Sequence, residues 1–364
     1  MAAGKWKRGR DIGLPFPGSP GIHNSITDVA GVEVGTVTLI SGEGPLVVGQ
    51  GPVRTGVTAL LPRGRARADI PCAAGYHVLN GNGEMTGVLW IEECGELQTP
   101  ITITNTHSCG VTRDATIRWL VAKGLGTGQD WSLPVAAETH DGELNDINGF
   151  HVTAAHTMAA LEAARGGPVE LGSVGGGTGM ICYDFKGGNG SASRQVSIAG
   201  QSYTVGVFLQ ANFGAREQLT ILGVPVGRHI TRDRLRHKDQ GSVIAIVATD
   251  APLLAHQLKR MARRVSLGLA RTGTVGNNGS GDIFLAFSTA NEAGFAAGGF
   301  HKRSLEFLPN ASLDPLFQGT VEAVEEAVID AMLVNETMVG RDGNRSLALP
   351  HEELIALMRK YQRM

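Results

Sequence analysis

Short runs rich in Val, Ile and Thr recur along this chain, at residues 32–40, 56–61, 88–91, 101–104, 203–209, 243–248 and 283–287. Gly, Pro or Asn flanks most of them, which is how strands are punctuated. Several are apolar nearly throughout instead of alternating with polar residues. A strand of that kind has no wet face, so its sheet must be covered on both sides. Helical spacing falls between and after these runs. Residues 115–122 predict one helix, and residues 153–165, ended by Gly166-Gly167, predict another. A third is expected from Ala251, capped by Thr249 or Asp250, with Pro252 in its first turn and Leu254, Leu258, Met261 and Val265 on one face. Residues 321–338 and 352–361 predict two more. Many strands with a few long helices give a layered α/β or α+β domain. No repeat, heptad or composition break divides the 364 residues, so the expectation is one domain.

Composition narrows the functional classes. Hydrophobic residues make up 42% and charged residues 18%, a globular balance, and the formal net charge of -2 offers no basic excess for a phosphate backbone. Nucleic acid is therefore not an expected partner. The 51 Gly follow no triplet period, which points to tight turns and close backbone approaches. Cys72, Cys94, Cys109 and Cys182 are scattered without a C-x-x-C pair, so they read as reduced thiols and not as a zinc site. The basic N-terminus has no apolar stretch behind it, and no run reaches 18 apolar residues, so no secretory signal or membrane span is expected and the cytoplasm is the expected compartment. No metal or cofactor motif is present in the expected form. H-E-x-x-H is missing, and Val174-Gly175-Gly176-Gly177-Thr178-Gly179 matches neither phosphate-binding pattern, so it reads as a turn lining a pocket.

Four places carry residues suited to chemistry. A polar stretch at 228–240, read as an exposed loop, stops at Gly241, and an apolar strand begins at Ser242. Cleavage of the Gly241–Ser242 bond would put a hydroxyl nucleophile and a free α-amine on one residue. That amine, with an ordinary pKa of about 7.7–8.0, is a base near neutrality. Gly-Ser pairs also occur at 18–19, 172–173, 190–191 and 279–280, so the dipeptide alone does not single out Ser242. In Gly276-Asn277-Asn278-Gly279-Ser280-Gly281-Asp282, a turn enters a strand, and Ser280 and Asp282 share one face at i and i+2. In Glu138-Thr139-His140-Asp141-Gly142, Glu138 can pair with an ammonium and His140 can move protons, although a solvated loop would read the same way. Asn212, at the end of the 203–209 run, can aim an amide N–H at a developing oxyanion, or be a turn residue. Asn105-Thr106-His107-Ser108 is equally polar and has no assigned role.

Together these segments resemble the family of L-aminopeptidase/D-esterases and β-peptidyl aminopeptidases. The resemblance spans nearly the whole chain, from Ile26-Thr27-Asp28-Val29-Ala30-Gly31 through Gly51-Pro52-Val53-Arg54-Thr55-Gly56, Asn105-Thr106-His107-Ser108, Asn145-Asp146-Ile147-Asn148-Gly149 and Gly175-Gly176-Gly177-Thr178-Gly179 to Glu336-Thr337-Met338-Val339-Gly340-Arg341. It implies a four-layer αββα sandwich, similar to N-terminal-nucleophile hydrolases but differently connected. It also implies a precursor that cuts itself into 1–241 and 242–364, often assembled as a homotetramer. By position, the nucleophile would be Ser242, the oxyanion donor Asn212, the supporting pair Ser280 and Asp282, and the anchor of the substrate amino group Glu138. Where close relatives carry Tyr two residues after that Glu, this chain has His140. Substrates would be peptides, amides or esters with a free amino group. A glutamate/ornithine N-acetyltransferase-like enzyme, a group that typically uses Thr as nucleophile, and an unprocessed binding protein of the same fold are the alternatives.

Overall fold

The computed structural model describes residues 7–125, 131–235, 241–297 and 302–364. The end of the predicted 228–240 loop, residues 236–240, lies outside them. The principal strands are β1 (Glu33–Ser41), β2 (Val53–Leu61), β3 (Cys72–Gly81), β4 (Ile101–Asn105), β5 (Val135–Thr139), β6 (Gly188–Ile198), β7 (Gln201–Asn212), β8 (Ser242–Thr249) and β9 (Gly281–Ser288). The principal helices are α1 (Val88–Cys94), α2 (Cys109–Ala122), α3 (Ala154–Glu162), α4 (Ala255–Arg271), α5 (Asp314–Leu333) and α6 (His351–Lys360).

Two sheets form. One has the order β1-β2-β4-β5. The other runs β3-β9-β8-β7-β6, with the short strand Glu96–Leu97 beyond β3. Within the larger sheet only β8 and β9 are parallel, while their outer neighbours are antiparallel. Side chains of both sheets share one core, where Leu60, Ile103 and Val135 meet Phe208, Ile244, Ile246 and Leu285. On the far face of the larger sheet, Val207, Val243, Ala245 and Phe284 pack with Leu258, Met261 and Val265 of α4 and Val324, Val328 and Met332 of α5. Val57, Ala59 and Leu61 do the same with Trp119 of α2 and Leu161 of α3. The result is the expected αββα sandwich, and β8, buried at all eight positions, is the central strand its composition demanded.

Several local expectations move. Residues 88–91 are helical, not a strand: Gly87 and Gly95, at φ 77° and 74°, bracket the seven-residue α1. A four-residue apolar run cannot by itself distinguish the two. The third predicted helix starts at Ala255 and not at Ala251, because Thr249 Oγ1 accepts from Ala251 N at 3.1 Å and holds that segment as a turn. The fourth occupies Asp314–Leu333 instead of 321–338. The Gly175–Gly177 turn is buried against β2 and β7, where an added Cβ on Gly176 would lie 2.2 Å from Gln210 Oε1, while Val174 at its start lines a cavity together with Ser173 and Arg54. Among the described residues no helix is long and apolar enough to cross a membrane.

Candidate active site

The site sits where three neighbouring strands of the larger sheet end together. Register places Asn212 of β7 opposite Ser242 of β8, and Ser242 opposite Gly281 of β9. The bond between Gly241 and Ser242 is therefore at the mouth of the sheet, with Ser242 only 5% exposed. The Gly241 carbonyl accepts from Gly281 N at 3.3 Å. Glycine at 241 has a steric cause: an added Cβ would lie 1.8 Å from the Asn212 carbonyl oxygen. No larger residue lets β7 close against that peptide.

Asn212 is held by its own amide. Its Oδ1 accepts from Ile181 N at 2.9 Å, and its Nδ2 donates to the His140 carbonyl at 2.8 Å. The two bonds fix which end of the amide is the oxygen and which carries the N–H donors, one of them on the His140 carbonyl. His140 thus enters the site through its backbone. Its half-exposed ring has Nδ1 3.3 Å from Glu143 Oε2.

Ser280 and Asp282 meet as their spacing predicts: Ser280 Oγ donates to Asp282 Oδ1 at 2.6 Å. Asn80 of β3 donates to Asp282 Oδ2 at 3.0 Å, a partner the sequence did not reveal. Alternation refines their place. Ile244 and Ile246 point between the sheets, whereas Val243, the partner of Asp282, points to the helices. Ser242 follows Ile244, so its hydroxyl and the Asp282 carboxylate leave the sheet on opposite faces.

Glu138 lies on β5 of the other sheet, buried, and not on a solvated loop. Its carboxylate accepts from Glu84 N at 2.9 Å and from Thr106 Oγ1. An added Cβ on Gly83 would lie 3.2 Å from Glu138 Oε1 and 3.4 Å from Gly281 Cα, so only a glycine separates Glu138 from the strand end that pairs with Ser242. Burial pushes the Glu138 carboxyl above its ordinary range, and the two hydrogen bonds offset this only in part. No Lys or Arg pairs with it among the described residues, so an incoming ammonium would find an unneutralised acceptor. Thr106 belongs to the polar Asn105–Ser108 segment that had no role. Its signal was present, but its target, 32 residues away, was not.

Beyond Glu138 the chain stays buried at Asp141, Asn145 and Asp146. Asn145 Nδ2 donates to Asp141 Oδ1 at 3.0 Å, and its Oδ1 accepts from Arg54 N at 2.9 Å, which pins the turn that presents the His140 carbonyl. Every site residue singled out in the sequence is thus at or next to these strand ends. None of the described residues forms a cluster of three or more His, Cys, Asp or Glu suited to a metal ion.

The chain is similar to known proteins over nearly its whole length. The profile of peptidase family S58 matches residues 24–346. A β-peptidyl aminopeptidase of Sphingosinicella microcystinivorans is 49% identical, with all of this chain and 94% of that protein covered. The solved L-aminopeptidase D-Ala-esterase/amidase of Ochrobactrum anthropi, described as a prototype for the serine aminopeptidases and a new variant among the Ntn hydrolase fold, superposes with a TM-score of 0.92. It is 48% identical, covering 98% of this chain and 99% of that one. A Burkholderia β-aminopeptidase gives a TM-score of 0.89 at 45% identity, covering 97% and 99%. These matches do not favour the acetyltransferase alternative. The chain belongs to peptidase family S58 and is a hydrolase of the aminopeptidase class.

Proposed function

We propose that this aminopeptidase cuts its own Gly241–Ser242 bond and then uses Ser242 as an N-terminal nucleophile. The observation that carries this is the alignment of Asn212, Ser242 and Gly281 across three adjacent strands, with the Gly241 carbonyl already hydrogen-bonded to Gly281 N. In the first step Ser242 Oγ bonds to the Gly241 carbonyl carbon and the C–N bond breaks. The hydroxyl proton passes to the departing nitrogen, leaving an ester. Water then releases the Gly241 carboxylate and restores the hydroxyl, so that Ser242 carries a free amine. The cut would divide the larger sheet, with β3, β6 and β7 in 1–241 and β8 and β9 in 242–364. The two pieces would stay one catalytic domain through those strand pairings.

In turnover, Ser242 Oγ attacks the carbonyl of a substrate's first residue. The Ser242 amine takes the hydroxyl proton and returns it to the leaving amine or alcohol, which leaves an acyl-enzyme on Ser242 Oγ; water then hydrolyses that ester, releasing the residue's carboxylate and restoring the hydroxyl. Asn212 Nδ2 donates to the oxyanion. Asp282, held by Ser280 and Asn80, supports the charged amine from the helix side of the sheet. Glu138 receives the substrate ammonium, which restricts the enzyme to peptides, amides or esters with a free amino group. The names of the relatives support a range that includes β-residues and D-alanine derivatives. A soluble cytoplasmic homotetramer is the assembly this reading adopts. Exposed Ile40, Val47, Val48 and Val339 support burial against other copies, which light scattering would test.

Intact mass spectra of the wild type and of Ser242→Ala decide the central point. Fragments 1–241 and 242–364 in the wild type, with one uncut chain in the variant, are expected. Ligand binding by a wild-type chain that stays uncut would favour the binding-protein alternative.

A further inference from the structure

The mechanism makes no use of Arg216, one of the largest fully buried side chains in the molecule. It follows β7 by four residues, and its guanidinium lies 3.5 Å from the centre of the Phe185 ring. Nε donates to the Tyr183 carbonyl at 3.0 Å, and Nη2 donates to the Asp184 carbonyl with the Asp184 carboxylate at 3.6 Å. Nη1 donates to the carbonyls of Ile230 and Arg232 at 3.1 and 3.2 Å. Asp184 Oδ1 also accepts from Leu235 N at 3.0 Å. Tyr183 and Asp184 stand side by side at φ 50° and 59°, a left-handed pair that non-glycine residues seldom form without being held. Burial pulls the Arg216 pKa down to about 10, so it is still charged near neutrality.

The carbonyls it holds have a particular address. Two of them, those of Ile230 and Arg232, belong to the stretch that leads toward the Gly241–Ser242 bond from upstream, and Leu235 is its last described residue before Gly241. Downstream, Ser242 is fixed by β8. On the other side the Gly241 carbonyl rests on Gly281 N, and holding the chain upstream of it as well serves intramolecular attack, because small misplacements of reacting atoms are expensive. A buried guanidinium with its donors spent on loop carbonyls is a costly device for an ordinary surface connection.

We propose that Arg216, with Asp184, is a positioning residue for self-cleavage: it tethers residues 230–235 so that the Gly241 carbonyl meets Ser242 Oγ. This rests on the self-processing reading above. Once the bond is cut, the tether no longer bears on the Ser242 side, so peptide hydrolysis does not depend on it.

The test follows fragment formation by mass spectrometry during cell-free synthesis of the full chain. Wild type is compared with Arg216→Met, Arg216→Lys and Asp184→Gly, and hydrolysis of an amino-acid amide is expressed per cleaved molecule. Asp184→Gly removes the Leu235 tether while relaxing the left-handed backbone, so it remains informative if Arg216→Met does not fold. Cleavage is expected to slow about tenfold or more in Arg216→Met, less in Asp184→Gly, and to recover in part in Arg216→Lys. Hydrolysis per cleaved molecule is expected to stay within about twofold of wild type. Wild-type cleavage rates in both Arg216→Met and Asp184→Gly would overturn the proposal. So would hydrolysis falling in proportion to cleavage, the mark of general structural support. A wild-type chain that never cleaves would instead defeat the self-processing reading itself, and this proposal with it.

Discussion

Two buried glutamates, one on each sheet's side of the molecule, show opposite uses of the same group. Glu326 on α5 accepts from Arg10 Nε at 2.8 Å, Arg194 Nη2 at 2.7 Å and Asn24 Nδ2 at 2.6 Å. Burial alone would raise its pKa, but the Arg10 hydrogen bonds and the two guanidinium charges win, and the net shift is downward. Next to it Asp330 is paired with Arg8 at 2.7 Å. This cluster ties residues 8–10 of the N-terminal segment to a helix near the other end of the chain. Glu138 has only neutral donors, Thr106 Oγ1 and Glu84 N, and burial wins there. A carboxylate neutralised by the protein holds the fold together. A carboxylate left for burial to penalise is suited to a cation that arrives from outside.

The contrast can be broken or sharpened experimentally. Ser242→Ala should remove hydrolysis altogether, by about 10,000-fold or more in kcat/KM, while the α5 cluster stays intact; retained turnover would end the assignment of the nucleophile. Loss of the amide in Asn212→Ala should cost about 100- to 1,000-fold in kcat and also lower the thermal midpoint, because it leaves Ile181 N and the His140 carbonyl without their buried partner. For Glu138→Gln, kcat/KM on amino-acid amides should fall about 10- to 100-fold, carried by KM, as expected for one charge-assisted contact of about 1.5–3 kcal/mol. Because a carboxyl with a raised folded pKa contributes stability only below that pKa and loses it as pH rises, this variant should be no less stable than wild type at neutral pH. Glu326→Gln should do the reverse. KM should be unchanged, and denaturant unfolding should show a loss of about 3–5 kcal/mol, the usual result of breaking a buried pair.

The smallest effects are in pH. Glu326, with its depressed folded pKa, contributes stability above the ordinary Glu value of about 4.3 and loses it as pH falls through the folded pKa, so wild type and Glu326→Gln should converge in acid. Glu138 is shifted the other way. Its KM limb should therefore appear above the ordinary carboxylate range, rising as pH falls, and should vanish in Glu138→Gln. A limb at the same pH in both proteins would assign that titration to another group.

Much of the frame was legible in the chain. β8 announced itself because it is apolar at every position from Val243 to Ala248, and β1, β2, β4, β7 and β9 carried similar runs. β6 did not. Its Gly188-Asn189-Gly190-Ser191-Ala192-Ser193-Arg194 is buried, yet it reads as a polar loop. Its side chains are satisfied by distant partners, as when Ser191 Oγ donates to the Val207 carbonyl at 2.6 Å and Arg194 meets Glu326. Hydrophobic periodicity is blind to a strand whose burial is made affordable by hydrogen bonds.

The residue types at the strand ends, the Gly-Ser junction and the order of the family's motifs were determined by the sequence alone, because each is a local pattern read within a few residues. The tertiary structure decided the rest. It set Asn212 opposite Ser242, brought Thr106 and the Glu84 amide onto Glu138, put Asp282 and the Ser242 hydroxyl on opposite faces of one sheet, and closed Arg216 on the carbonyl of Ile230. These are contacts between groups tens of residues apart. Their strength depends on burial and direction, and neither exists until the two sheets have packed.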